Sequence, residues 1–69
     1  MNDTFDFGEA LAYIKAGFVV SLTLNNKERR YYLNQFNKIV CVPNGKEHLL
    51  YVVNDFKIDA IMSNNWTLV

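Results

Sequence analysis

Most of the residues best equipped for chemistry lie close together. Arg29, Arg30, Tyr31 and Tyr32 are consecutive, Asn25 stands just before them, and Trp66 is set far downstream in an apolar ending, Trp66-Thr67-Leu68-Val69. A guanidinium holds a phosphate through two parallel N–H bonds. Aromatic rings stack on bases, at about 1 to 3 kcal/mol per base, and amides, of which this chain has nine as asparagine, present both donor and acceptor edges. These are the residue types of a nucleotide pocket, with Asn25, Arg29, Arg30, Tyr31 and Trp66 as its candidate ligand-binding side chains. Each has a plainer role open to it: Tyr is a common strand residue, Arg29-Arg30 suits a solvated turn, and Trp66 suits the core.

Catalytic sets are poorer. Cys41 and His48 are the sole thiol and imidazole, and a thiolate dyad needs a third group to orient the ring and donors for an oxyanion. Neither is evident, and Cys commonly acts as a small buried hydrophobe. Two ligands do not close a metal site. Asp55 and Asp59, four apart, would share a helix face as an acid and a base might, but solvated charges at a helix start account for them equally. Gly8, Gly17 and Gly45 have no phosphate-loop spacing. The expectation is a binding protein rather than an enzyme, with no cofactor and no metal.

Positioning such a site requires a scaffold, and the local signals describe one. Asp6 and Glu9 have the form of a capping box before a stripe of Phe7, Ala10, Leu11 and Ile14, with Lys15 in the last turn and Gly17 as a left-handed cap. This predicts a helix from about Phe7. Phe18 to Leu24 reads as a first strand, Asn25-Asn26-Lys27 as a turn, about Arg29 to Asn34 as a second strand, and Lys38 to Val42 as a third. Tyr31 and Leu33 then share one face, Arg30 and Tyr32 the other. Asn44-Gly45 suits the centre of a two-residue hairpin, which would set Val42 opposite Glu47, Cys41 opposite His48, and run a fourth strand from about Glu47 to Val53. Asn54 or Asp55 would cap one or two helical turns within Phe56 to Met62, and Trp66 to Val69 would form a terminal strand. The fold class is α+β: a single domain over residues 1–69, with a small antiparallel β-sheet of about five strands, the N-terminal helix packed on it and a short helix before the last strand.

Seven basic residues balance seven acidic ones, so there is neither the basic stripe of a duplex-binding domain nor the acidic excess of a DNA mimic. No apolar run approaches a membrane span of about 18 residues, and Met1-Asn2-Asp3-Thr4 lacks a basic signal region, which reads as cytoplasmic. A 69-residue chain of this kind buries only about 60% of its unfolded surface. With one cysteine and ten aromatic residues, self-association is the remaining way to stabilise it.

Both ends of the chain also resemble a known family. Phe7-Gly8-Glu9-Ala10-Leu11, Lys15-Ala16-Gly17 and Val19-Val20, with Asn65-Trp66-Thr67-Leu68-Val69 at the finish, are similar to the framework of the small phage-associated Thoeris anti-defence sponge family. Phe7, Gly8, Glu9, Leu11, Gly17 and Trp66 carry over by position. Members bind and sequester nucleotide-derived immune signals, such as cyclic ADP-ribose isomers and cyclic dinucleotides, as homo-oligomers with pockets between subunits and without catalysis. A relative inhibits type II-A CRISPR. The resemblance implies a homodimer or homotetramer in the host cytoplasm that binds a small nucleotide signal, or alternatively a protein-binding inhibitor of a defence effector. Leu22 to Lys27 replaces the family's Arg and Trp after the first strand, and Asn64-Asn65 replaces acidic residues before the final Trp. A pocket here is therefore built from Asn25, Arg29, Arg30 and Tyr31.

Overall fold

A computed structural model describes residues 3–43 and 46–69. Helix α1 (Phe7–Lys15) begins where the Asp6 carboxylate accepts the Glu9 N–H at 2.9 Å. Of the two bonds of a capping box, this one forms. The helix ends on Gly17, whose φ of +97° lies in the region that glycine enters without steric cost. Gly17 N–H donates to the Ile14 carbonyl and Phe18 N–H to that of Tyr13, both at 3.0 Å, which is the Schellman arrangement. The Phe18 ring meets Tyr13 edge-on at 5.7 Å between centroids. Phe18 is thus engaged in closing the helix, and the first strand starts later than its β-branched sequence suggests.

Five strands form one antiparallel sheet: β1 (Val20–Leu24), β2 (Lys27–Leu33), β3 (Ile39–Pro43), β4 (Tyr51–Val52) and β5 (Trp66–Leu68), in the order β4-β3-β2-β1-β5. Leu24 pairs with Lys27 across a two-residue turn in which Asn25 and Asn26 have φ of +52° and +63°. Asparagine tolerates that conformation better than other non-glycine residues, and two such residues match the twist of a hairpin. Between β2 and β3 the Asn34 side chain accepts N–H bonds from Phe36 and Lys38 at 2.9 and 3.0 Å. That side chain does the work of a backbone turn.

The β3–β4 connection departs from the sequence expectation. Cys41 pairs with Tyr51 and Val40 with Val52, so Cys41 does not face His48, and Glu47–Leu49 forms a 3-10 turn instead of strand. The expected Asn44-Gly45 turn lies outside the described residues. The observed register sets Tyr51 beside Cys41 on the core side of the sheet. A one-residue slip would reverse every side chain of the strand, so face selection outweighs a local turn preference.

Because β4 and β5 lie at opposite edges, the connection between them must cross the sheet. It crosses on the side covered by α1 and carries the short helix α2 (Ile58–Ile61). The helix is capped at Lys57, without a side-chain bond, and not at Asn54 or Asp55. Phe56 explains the later start: its ring is 4.9 Å from Phe7, 5.3 Å from Tyr31 and 6.2 Å from Trp66, and reaching all three keeps the crossing chain extended. Trp66 is fully buried, and its indole N–H donates to the Ala60 carbonyl at 3.1 Å. With Ala10, Ile14, Val20, Leu22, Tyr31, Cys41 and Ala60 it forms the core. The result is the α+β arrangement. Among the described residues no helix is long and apolar enough to cross a membrane.

Candidate functional site

A cleft of about 300 Å³ opens on the α1 side of the sheet, between the β1–β2 hairpin and the crossing segment. Alternation along β2 aims Lys27, Arg29 and Tyr31 at this side and Glu28, Arg30 and Tyr32 at the other. Lys27, Arg29 and Tyr31 accordingly line the cleft, with Asn25 at its hairpin end. From across the gap come Tyr51 of β4, then Asn54, Asp55 and Lys57 of the crossing chain and Asp59 of α2. Leu22, Leu24 and Phe56 supply apolar wall.

Three of the five candidate side chains are therefore brought together: Asn25, Arg29 and Tyr31. Arg30 is not among the lining residues; it stands opposite Ser21 in the sheet and forms a 3.8 Å ion pair with Glu28, whose carboxylate also accepts the Ser21 hydroxyl at 2.8 Å. Trp66 is in the core and does not reach the cleft. Consecutive arginines on a strand necessarily point to opposite faces, which is why one belongs to the cleft and its neighbour does not.

The electrostatics of the floor follow from the row of paired residues Tyr31, Cys41 and Tyr51 across β2, β3 and β4. Burial, and then Cys41 beside it, push the Tyr31 phenol well above its ordinary range, and Arg29 opposes the rise without cancelling it. Hydrogen bonding with Cys41, reinforced by burial, raises Tyr51 as well. Tyrosine is already neutral at physiological pH, and both rises run in the same direction, so both phenols keep their O–H. A guanidinium flanked by two neutral O–H donors is a cradle for an anion. Tyr51 is also half exposed, leaving ring surface for a planar group.

Cys41, by contrast, is fully buried and His48 is exposed in the 3-10 turn, so the thiol and imidazole do not form a dyad. Asp55 precedes α2 and does not share a helix face with Asp59, yet the crossing chain brings both carboxylates to the cleft. Among the described residues no cluster of three or more metal-ligating side chains occurs.

No family model matches the chain, and no curated protein or solved structure matches it either. What the cleft can bind follows from its own side chains. Lys27, Tyr51 and Lys57 were not evident as site residues from the sequence. Lys27 had a local signal, since it follows a two-residue turn and lies two positions from Arg29 on a strand of period two. Tyr51 joins it through the β3–β4 register and Lys57 through the crossing connection, and nothing in their own neighbourhoods announces that.

Proposed function

We propose that this chain is a non-enzymatic phage or mobile-element protein that antagonises host defence by capturing a small nucleotide-derived signal in the cytoplasm. One observation carries the reading: Arg29 and the neutral phenols Tyr31 and Tyr51 line a single cleft with Lys27 and Asn25. Phosphate meets the guanidinium and hydroxyl donors, and the half-exposed Tyr51 ring receives a base. The resemblance of both ends of the chain to the Thoeris anti-defence sponge family supplies the biological setting. At about 300 Å³ the cleft is at the small end of ligand sites, which span about 300 to 1,000 Å³. It accommodates one nucleoside phosphate unit, so a cyclic dinucleotide or cyclic ADP-ribose would extend beyond it, toward a second copy of the chain.

Isothermal titration against cyclic ADP-ribose isomers and cyclic di- and trinucleotides tests the proposal. Binding of one of these, abolished by Arg29→Ala, is the expected result; absence of heat with every member would overturn it. A second reading is favoured by α2, where Ile58 and Met62 are 76% and 74% exposed. Side chains of that size in water suit a protein partner, here a defence effector such as a CRISPR nuclease. The two are separated by Ile58→Lys with Met62→Lys, which should leave binding of a mononucleotide, held within the cleft of one chain, intact in a signal-sequestering protein and abolish inhibition in an effector-binding one.

A further inference from the structure

Five formal charges of both signs line the same small cleft: Lys27, Arg29 and Lys57 against Asp55 and Asp59. None forms an ion pair with another: the single ion pair among the described residues is that of Arg30 and Glu28 on the opposite face of the sheet. Asp59 Oδ1 accepts the Ala60 N–H at 2.8 Å, leaving its second oxygen uncommitted by that bond. An anion alone would be attracted by the cations and repelled by the carboxylates. Displacing water from such a site with a simple phosphate would leave two carboxylates facing an anion, which is costly. A ligand that presents a phosphate to the cations and hydrogen-bond donors to the carboxylates leaves neither sign uncompensated.

Size decides which donors those are. The cations and carboxylates share about 300 Å³, so the donors must lie within a short reach of the phosphate. In a nucleotide the ribose hydroxyls meet that condition, whereas the amino groups of the base lie at the far end of the molecule. Carboxylates are also the usual partners of a ribose 2′-hydroxyl in nucleotide sites. We propose that the cleft recognises the ribose phosphate unit, with Asp55 and Asp59 accepting the sugar hydroxyls and Arg29 with Lys27 holding the phosphate. It therefore selects ribonucleotides over deoxyribonucleotides. This rests on the nucleotide-binding reading above and gives that site its sugar specificity.

The probes are AMP, 2′-deoxy-AMP and inorganic phosphate, titrated by NMR into the whole chain and into Asp55→Ala/Asp59→Ala. AMP should bind at least about tenfold more tightly than 2′-deoxy-AMP, as expected when a hydroxyl accepted by a charged group is removed. The double variant should close that gap. It should also bind inorganic phosphate more tightly than the parent does, since repulsion is relieved. Loss of the preference for AMP together with tighter phosphate binding is not what a structural role for the two aspartates would produce. Equal affinity for the two nucleotides in the parent protein would overturn the sugar assignment even if the double variant failed to fold. If that equal binding is lost on Arg29→Ala, the nucleotide cleft itself stands; binding of none of the three at the cleft would overturn the sugar assignment, while the panel of larger signals decides the broader proposal separately.

Discussion

Arg29 and Arg30 differ by one position and by the face of the sheet they occupy, Arg29 lining the cleft and Arg30 paired with Glu28 on the other side. Arg29→Ala should leave stability within about 0.5 kcal/mol, as for most partly exposed positions, and abolish nucleotide heat in titration calorimetry. Arg30→Ala should leave both unchanged, because it loses only an exposed ion pair, worth about 0 to 1 kcal/mol, on the far side of the sheet. Asn25, Arg29 and Tyr31 of the cleft were among the candidates the sequence named; which of two adjacent arginines lines it depended on the strand's phase. Tyr31 gives a pH test. Its folded-state proton is held more tightly than in the unfolded chain, so its contribution is fully present below the ordinary tyrosine value, about 10, and is lost as pH rises above it. Chemical denaturation should show a decline above about pH 10 that is smaller in Tyr31→Phe. An equal decline in the two proteins would dissociate Tyr31 from alkaline instability.

The elements divide into those fixed by neighbours in the chain and those fixed at a distance. Helix α1 belongs to the first kind, and Asp6 and Gly17 marked its limits openly. Gly17→Ala should cost about 1 to 2 kcal/mol from the left-handed backbone alone, since a Cβ there meets nothing within 4 Å. Gly8→Ala, in the first turn with its nearest contact an ordinary 3.5 Å to the Asp6 carboxylate, should be neutral or stabilising by up to about 1 kcal/mol. Paired thermal melts check the contrast. β4 and α2 belong to the second kind. The Asn44-Gly45 signal suggested a tight register, but Tyr51 is placed by Cys41 and Tyr31, and α2 starts late because Phe56 is needed in the core. Such demands come from residues remote in sequence and leave no mark on a local window.

For the whole molecule, Trp66 is the keystone of the core, and the α+β class was legible because most of its elements carried local signals, β4 and the start of α2 being the exceptions. Trp66→Ala should cost about 3 to 5 kcal/mol, the range for a buried large aromatic, and so unfold most of the population of a domain this small. A folded variant with only weakened ligand binding would reassign Trp66 to the site. The cleft, by contrast, was half legible: Asn25, Arg29 and Tyr31 are on one hairpin, while Tyr51 arrives by the pairing of β4 with β3 and Asp55 and Asp59 by the crossing segment. Self-association is expected on the same scale, with Ile58, Met62 and Leu68 exposed on a chain with no disulfide available. Light scattering should give a mass above the 8.0 kDa of one chain, and Ile58→Lys should lower it.

The crossing from one sheet edge to the other also sets an order of events in time. The β1–β2 and β2–β3 hairpins join near neighbours, whereas Leu22 must wait for Trp66, and contacts between remote residues form slowly because the intervening chain must first be closed. The sole tryptophan is therefore a reporter of the final step. In stopped-flow refolding, far-ultraviolet circular dichroism should record strand formation before the indole fluorescence changes. Until that change occurs, one wall of the cleft does not exist.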